Sequence, residues 1–407
     1  MKLGVITAQR ENMSHLLDCP SVLGYIYHAS MKHFVFLLCF FASLTSYSQE
    51  KEIIYVGTHS IRGSKGIYVF ELNRTKGSLK LIQTIVDRQS PGFLAIHPNG
   101  KFLYSVNTSP VDGHEGSGSV SAFSIDRKTG KLTFINSVSS FGEAPCHIAL
   151  DKSGEWAFIS NYNEGNFVVI PILQDGSVGA PSDSKKYFGS SVNKFRQEKP
   201  HIHSAYVSHD NRYVYVSDLG TDKIYTYSID HSNGKINPAA TAEVKVAPGA
   251  GPRHFTFHPS GTFAYSAEEL TSTVGVFSVD KATGKLTVIQ DTVRSLPPTF
   301  SGRNTSAEIL TDPRGRYLYM SNRGADVLSV FAIGSDGRIA LQGNQSTMGK
   351  SPRNFLVDQK GRYIWVANEN SDNLVVFRIN PKTGMPVFTG YSVKIPSPVC
   401  VKQLVLK

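Results

Sequence analysis

Four side chains that can bind anions or transfer protons, His203, Arg253, Glu269 and Arg323, fall at two equivalent positions of an internal repeat. His203 and Arg253 occupy the first position in successive repeats, and Glu269 and Arg323 occupy the second. Histidine and glutamate can accept a proton from water, and guanidinium groups bind carboxylate or phosphate through paired hydrogen bonds. The set predicts attack of water on an ester carbonyl, with His203 or Glu269 as the base and the arginines stabilising the oxyanion.

Four further ionisable residues lie at or directly after the first position, and we predict that they bind the substrate: His147, His254, Glu308 and Arg353. Glu268 belongs instead to a position that is polar in every repeat, which indicates local hydrogen bonding to the backbone. We therefore interpret Glu268 as structural. The sequence contains no Gly-x-Ser-x-Gly motif, which argues against a serine nucleophile.

These positions are defined by a repeat of about 50 residues, a length typical of radially repeated β-sheets. An aromatic residue near the end of a strand recurs at Tyr55, Tyr104, Phe158, Tyr215, Tyr265, Tyr319 and Trp365. A turn follows each of them, at Gly77, Gly130, Gly176, Gly234, Gly284, Gly337 and Gly384. A further turn precedes the aromatic in six repeats, as in Asn99-Gly100 and Ser260-Gly261. With the polar turn that ends the aromatic strand, each repeat has three turns and hence four strands. The first candidate position lies twelve residues before the aromatic and the second lies four residues after it. The sequence therefore predicts an all-β fold, a seven-bladed β-propeller with four-stranded antiparallel blades.

The propeller must also close and must bring the candidate residues together. The first repeat lacks an innermost strand, and Val399–Leu406 provides a spare one, so we expect the C-terminal strand to pair into blade 1. In an antiparallel blade, the start of the innermost strand and the end of the second strand lie at the same rim. The two repeat positions occur at these points, so their side chains should face one shared mouth.

The N-terminal region carries a predicted export signal. Residues 31–48 begin with Met-Lys-His, continue with an apolar run and end in small residues, which is typical of a secretory signal peptide. Residues 1–30 fit no targeting pattern, and we interpret them as a mis-assigned upstream extension. The propeller is predicted over residues 49–407. We therefore expect a periplasmic or secreted protein with no membrane attachment after cleavage, and a cytoplasmic one only if no signal is present.

Composition limits the partners. The net charge is +10, but no run of five or six Lys or Arg occurs, so nucleic acid is not an expected partner, whereas a small anionic ligand is. The four cysteines form no CxxC pair, and we expect no metal and no cofactor. Cys146 and Cys400 fall on inner strands two blades apart, too far for a disulfide. We expect a monomer.

The sequence resembles the family of propeller-type 6-phosphogluconolactonases and carboxymuconate-lactonizing enzymes. The likeness runs from about residue 52 to 407 and is carried by Gly249-Ala250-Gly251-Pro252-Arg253-His254, His258-Pro259, Glu269-Leu270 and Ser321-Asn322-Arg323-Gly324, with Cys146-His147-Ile148, His203-Ser204-Ala205 and Ser306-Ala307-Glu308-Ile309. The resemblance implies metal-independent hydrolysis of 6-phosphogluconolactone in the pentose phosphate pathway. It also implies a site of one His, two Arg and one Glu, at His203, Arg253, Arg323 and Glu269.

Export conflicts with a phosphorylated substrate, because few phosphosugars occur outside the cytoplasm. We therefore expect an unphosphorylated aldonolactone or sugar-acid lactone. Two alternatives stay open: a muconate cycloisomerase that clamps several carboxylates with the help of Arg353, and a non-catalytic propeller that binds a partner or a glycan. The insertion Pro181–Pro200 is expected between the outer strand of blade 3 and the inner strand of blade 4, where it should overhang the same mouth, either as a lid that adds positive charge or as a plain surface loop. Its basic residues are Lys185, Lys186, Lys194 and Arg196.

Overall fold

The computed structural model describes residues 51–73, 77–86, 90–111 and 113–406. The predicted signal peptide and the upstream extension lie outside these residues. The described chain folds into seven four-stranded sheets, and neighbouring strands within every sheet are antiparallel. The seven-bladed prediction is confirmed.

In chain order, the strands that begin the ring are β1 (Lys51–Thr58), β2 (Ile67–Asn73), β3 (Ser78–Ile85), β4 (Phe93–Ile96), β5 (Phe102–Asn107), β6 (Ser119–Ile125) and β7 (Leu132–Ser139). They are followed by β8 (Pro145–Leu150), β9 (Trp156–Asn161), β10 (Asn166–Pro171), β11 (Asp183–Lys186), β12 (Ile202–Val207), β13 (Tyr213–Asp218), β14 (Lys223–Asp230) and β15 (Lys235–Lys245).

The last three blades contain β16 (Pro252–Phe257), β17 (Phe263–Glu268), β18 (Thr273–Val279), β19 (Leu286–Arg294), β20 (Thr305–Thr311), β21 (Tyr317–Arg323), β22 (Val327–Ile333), β23 (Ile339–Ser346), β24 (Pro352–Val357), β25 (Tyr363–Asn368), β26 (Asn373–Ile379) and β27 (Pro386–Lys394). A single 3₁₀ turn, Glu369–Ser371, follows β25 among the described residues. The chain ends with β28 (Pro398–Leu406), which pairs antiparallel with β1. Blade 1 is therefore β28-β1-β2-β3, and the predicted closure is confirmed.

The two sequence anchors of the repeat hydrogen-bond to each other between blades. The aromatic side chains of the second strands are all buried between neighbouring sheets. Five of them are tyrosines, and each hydroxyl donates to the carbonyl of the turn glycine in the following blade, as Tyr265 does to Gly337 (3.1 Å) and Tyr319 does to Gly384 (2.9 Å). Gly337 and Gly384 have φ of 79° and 72°, a left-handed conformation that glycine adopts without strain, which explains why the turn anchor is glycine. The repeat thus encodes the interface between blades.

The innermost strands start at one rim, and a β-bulge occurs there in most blades. The residue-by-residue pairing shifts at the bulge and leaves Cys146, His203, Arg253 and Arg353 without a partner on the second strand. Such bulges bend the strand and redirect the side chain. They turn the first repeat position toward the axis of the ring.

One segment differs from its prediction. The outer strand of blade 3 is β11, Asp183–Lys186, so the first part of the expected insertion Pro181–Pro200 is the strand itself. A bridge between Ile172 and Val178 precedes it and displaces the outer strand along the chain. The true connection to β12 is therefore shorter, residues 187–201, and we call it the 187–201 loop.

Candidate functional site

The rim where the innermost strands begin contains a cavity of about 520 Å³, which we call the mouth cavity. It is lined by all four residues of the predicted centre, His203, Arg253, Glu269 and Arg323. The volume of the cavity and its mixture of polar and apolar lining residues are typical of sites that bind small molecules. His203 and Glu269 face the same space, as the shared-rim geometry requires.

The carboxylate of Glu269 is the centre of an arginine cluster. Arg253 Nε lies 2.9 Å and Arg323 Nη2 3.1 Å from Oε2 of Glu269, while Arg196 Nη2 donates to Oε1 at 2.7 Å. The Glu269 side chain is only 6% exposed. The pairing therefore takes place largely away from water, where electrostatic interactions are stronger.

The charges determine the protonation of this cluster. Burial alone would raise the pKa of Glu269, but Arg323 and Arg253 hold it well below its ordinary value. Burial and the neighbouring arginines lower the pKa of Arg253 to about 9, which leaves the guanidinium charged at neutral pH. Glu269 is thus an ionised counter-ion whose proton affinity is low.

His203 is the neutral member of the site. Burial, followed by Arg253 and His254, lowers its pKa well below the ordinary value of 6.5. Its Nδ1 lies 3.9 Å from Sγ of Cys146, which also contacts the His203 carbonyl at 3.3 Å. Burial raises the pKa of Cys146 to about 12, so this cavity-lining cysteine is a protonated thiol rather than a nucleophile. Because the lowered pKa keeps its ring neutral at pH 7, His203 has a free ring nitrogen lone pair that can accept a proton.

The predicted substrate-binding residues divide between two places. Arg353 and His254 line the mouth cavity. His147 and Glu308 do not: they line a second cavity of about 450 Å³, which we call the tunnel cavity and which continues toward the far ends of the inner strands. Both lie one residue after the first repeat position, about 3.3 Å further along the inner strand, as does His254, which still lines the mouth cavity. That His147 and Glu308 bind the substrate stays a prediction.

His254 connects the two cavities. Its Nδ1 lies 3.0 Å from Oε1 of Glu308, and Asn354 donates to the other oxygen of Glu308. Its ring centroid is 5.3 Å from that of His203 and 5.4 Å from that of His147. Burial lowers the pKa of His254 and raises that of Glu308. This buried network fixes the side chains directly beneath the mouth cavity.

Arg353 has a carboxylate partner of its own at the rim. Its Nη1 is 3.8 Å from Oε2 of Glu369, whose other oxygen lies 2.9 Å from Nδ1 of His59. Burial would raise the pKa of Glu369, but His59 and Arg353 lower it to about 2. Glu369 and His59 occupy the second repeat position in their blades, so the repeat pointed to them although they were not selected as site residues.

Two further residues line the mouth cavity that the sequence reasoning noted but did not select as site residues, Arg196 and Tyr162. Arg196 comes from the 187–201 loop, which has no equivalent in other blades, so no periodicity identifies its target. Tyr162 holds the second repeat position in blade 3, and its hydroxyl lies 3.3 Å from Arg196 Nη2. Its ring stacks on His201 and meets His203 edge-on.

The structural role assigned to Glu268 agrees with its contacts. Its carboxylate accepts from the Thr273 hydroxyl within the same blade, and it does not line the mouth cavity. Equivalent residues bond locally too: Asn161 donates to the Ser140 carbonyl and Asp218 accepts from the His201 amide. This position therefore organises the turns at the rim.

Other features of the described residues are simple. They contain no group of three or more His, Cys, Asp or Glu placed to hold a metal ion. No helix within the described ranges is long and apolar enough to span a membrane. Cys146 and Cys400 are both free, on β8 and β28 of different blades.

The fold and site define a seven-bladed propeller whose mouth cavity places three arginines around the carboxylate of Glu269, beside the neutral histidine His203. The chain matches the family described as "Lactonase, 7-bladed beta-propeller" over residues 53–403. It belongs to that family.

Two curated relatives carry the name 6-phosphogluconolactonase. The protein of Bacillus subtilis (strain 168) is 35% identical over 355 residues, which cover 87% of this chain and 99% of the relative. The protein of Formosa agariphila is 35% identical over 294 residues, or 71% of this chain and 81% of the relative. A solved structure of the periplasmic gluconolactonase of Pseudomonas aeruginosa is similar with a TM-score of 0.81 and 30% identity, covering 88% of this chain and all of that chain.

Proposed function

We propose that the protein hydrolyses a sugar lactone in the mouth cavity. The observation that carries this proposal is the joint lining of one cavity by a neutral His203 and by the arginines paired to Glu269. Ester hydrolysis needs a base for water and donors for the oxyanion, and this cavity supplies both. Family membership and the names of the relatives support the same reaction.

In the proposed reaction, His203 accepts a proton from water as the water oxygen bonds to the lactone carbonyl carbon. Arg253 and Arg323 donate hydrogen bonds to the resulting oxyanion. The tetrahedral intermediate then reforms the carbonyl and breaks the bond to the ring oxygen, which takes the proton from the His203 imidazolium. The products are the open hydroxy acid, ionised at neutral pH, and a free histidine ready for another cycle.

The choice between the two candidate bases favours His203. Glu269 has a pKa well below its ordinary value and is held by three guanidinium groups, so its affinity for a proton is small. A general base is most effective when its pKa lies near the pH of the medium, and the ordinary pKa of imidazole, 6.5, lies closer to neutral pH than that of a carboxyl group, 4.5. Glu269 serves instead to orient Arg253 and Arg323, whose other contacts run to backbone carbonyls.

For the substrate, we propose an unphosphorylated aldonolactone or sugar-acid lactone. The predicted signal peptide supports export, and the similar structure from P. aeruginosa is named a periplasmic gluconolactonase. The curated relatives named 6-phosphogluconolactonase keep the phosphorylated lactone as the alternative. A periplasmic or secreted location is part of this proposal.

The test follows acid release from glucono-1,5-lactone and from its 6-phosphate in a pH-stat, with spontaneous hydrolysis subtracted. We expect enzymatic turnover of both or of the unphosphorylated lactone, lost by 100-fold or more in His203→Gln. His114→Gln, at an exposed residue outside the cavity, is the matched control and should keep wild-type activity.

A strong preference for the phosphorylated lactone would refute the choice of substrate, and full activity in His203→Gln would refute the base. Turnover of a muconolactone in place of either sugar lactone would favour the cycloisomerase. If a folded wild-type protein turned over none of these compounds and no sugar-acid lactone such as glucaro-1,4-lactone, the non-catalytic alternative would stand.

A further inference from the structure

One arginine of the mouth cavity differs from the others in where it comes from. Arg253 and Arg323 stand on β16 and β21, whereas Arg196 stands on the 187–201 loop above the ring opening. The side chain of Arg196 is 39% exposed, against 3% for Arg253 and 14% for Arg323. A ligand entering the cavity from solvent therefore meets Arg196 first.

The strand arginines are also fixed by the backbone. Arg253 Nη1 donates to the Ala307 carbonyl at 2.8 Å, and Arg323 Nη2 donates to the Ser306 carbonyl at 2.9 Å. Arg196 makes side-chain contacts only to Glu269 Oε1 and the Tyr162 hydroxyl among the described residues. Its guanidinium can turn toward a ligand without leaving a buried carbonyl unpaired.

The loop that carries Arg196 is held in place, so the position of its backbone is defined. The buried carboxylate of Asp222 accepts hydrogen bonds from the Ser191 hydroxyl and from Gln197 Nε2 (2.7 Å), on either side of Arg196. The same carboxylate accepts from the amides of Gly249 and Gly251, directly before Arg253. Asp222 thus couples the loop to the strand that carries a catalytic arginine.

The charges leave room for an anion. Four guanidinium groups line the described part of the mouth cavity, and two carboxylates, Glu269 and Glu369, contact them. The positive charge exceeds the negative charge by two. A developing oxyanion at the reacting carbonyl uses one of these charges. The other matches a permanent negative charge elsewhere on the substrate.

The two oxygens of Glu269 separate these two tasks. Oε2 contacts the fixed pair, Arg253 and Arg323, near His203, whereas the ion pair of Oε1 within the described ranges is with Arg196. A lactone whose ester lies against the fixed pair would extend its remaining carbons toward Arg196 and the solvent.

We propose that Arg196 is a specificity-determining residue that binds an oxyanion substituent, a carboxylate or a phosphate, on the part of the lactone remote from the ester. The proposal rests on the function proposed above and narrows its substrate class to anionic lactones. Among unphosphorylated compounds it favours a sugar-acid lactone over a neutral aldonolactone. Guanidinium forks bind both oxyanions bidentately, so the two sources must be distinguished by experiment.

The test compares kcat/KM of wild type, Arg196→Gln and Arg196→Lys on three lactones: neutral glucono-1,5-lactone, glucaro-1,4-lactone, which carries a carboxylate, and 6-phosphoglucono-1,5-lactone. We expect Arg196→Gln to lower kcat/KM about 10- to 100-fold for at least one anionic lactone and less than about threefold for the neutral one. The anionic lactone that is affected identifies the substituent. Arg196→Lys should lie between.

Lys194→Gln is the matched control, because it removes one positive charge from the same loop at an exposed residue outside the cavity lining. It should change kcat/KM less than twofold for all three lactones. An equal loss for neutral and anionic lactones in Arg196→Gln would overturn the proposal and assign Arg196 to the reaction centre. Unchanged kcat/KM for both anionic lactones would overturn it as well.

A binding measurement separates this proposal from the catalytic one. Calorimetric titration with gluconate, glucarate and 6-phosphogluconate needs no turnover. We expect glucarate or 6-phosphogluconate to bind wild type at least tenfold more tightly than gluconate, and Arg196→Gln to remove that advantage. If wild type binds in this way but hydrolyses no lactone, only the proposed function fails. If neither ligand binds more tightly than gluconate, the role of Arg196 is refuted.

Discussion

Replacing Glu269 by Gln tests the idea that this carboxylate is the counter-ion of the mouth cavity. The variant keeps the shape of the side chain but removes the charge that faces Arg253 and Arg323. Both guanidinium groups are largely buried, and removing one partner of a buried ion pair costs about 3–5 kcal/mol. The third partner, Arg196, is more than a third exposed, so water screens its pairing with Glu269 and it adds little to this free-energy cost.

This cost converts into a melting temperature. With an unfolding entropy of about 2.1 cal/mol/K per residue, a ring of about 350 residues loses roughly 4–7 °C for 3–5 kcal/mol. Differential scanning calorimetry of wild type and Glu269→Gln measures the shift, with Glu243→Gln as control because Glu243 pairs with Lys223 on an outer surface. The control should shift by less than about 1 °C.

Adding an anion tests the same role of Glu269 by a second, independent measurement of the melting temperature. An added anion such as sulfate can replace the missing carboxylate between Arg253 and Arg323, so it should stabilise Glu269→Gln more than wild type. A variant that melts with the wild type and gains nothing more from sulfate would refute the counter-ion role of Glu269.

Three other predictions concern the base, the loop and the closure of the ring. The pKa of His203 is lowered, so the neutral form that can act as a base is present at pH values above that lowered pKa. In a plot of kcat/KM against pH, the fall on the acid side should therefore occur below pH 6.5, and a fall that begins above pH 6.5 would contradict this. Asp222→Asn replaces one acceptor oxygen by an amide group and leaves the Gly249 or the Gly251 amide unpaired, so trypsin should cut the 187–201 loop faster and kcat/KM should fall about tenfold; an unchanged digestion pattern would argue against the role of Asp222 in holding the loop. Deleting residues 398–407 exposes the edge of β1 and should give insoluble protein, whereas a soluble variant with wild-type melting would contradict closure by β28.

The fold was predictable because the residues that recur in every repeat also contact each other between neighbouring blades. Tyr319 recurs at the aromatic anchor and Gly384 at the turn anchor, and the hydrogen bond between them joins neighbouring blades. A periodic interface leaves a periodic pattern in the sequence. The outer strand of blade 3 escaped prediction because it is four polar or charged residues, Asp183–Lys186, without apolar alternation.

The candidate site was predictable to the extent that it follows the repeat. His203 and Arg253 share a bulged position, and Glu269 and Arg323 share the end of the second strand, so topology alone brings them together. Glu308 lines the tunnel cavity, whereas His254, at the same repeat position of its blade, lines the mouth cavity, so the repeat position alone does not decide between the two cavities.

Arg196 was not predictable in the same way. Its loop occurs once, and the distance between Arg196 and Glu269 along the chain carries no information about their contact. The hydrogen bonds that hold this loop are accepted by Asp222. The φ of 57° and the four side-chain hydrogen bonds of Asp222 are features of tertiary structure. The sequence predicted a loop over the mouth that adds positive charge, and the coordinates show that Arg196 contacts Glu269 there.

A crystal structure of the protein with a bound aldonate, the product of lactone opening, tests the central claim most directly. We predict that the carboxylate of the product lies between Arg253 and Arg323, with one oxygen within hydrogen-bond distance of His203. An aldonate bound in the tunnel cavity beside His147 and Glu308, or on the outer surface of the blades, would contradict the account.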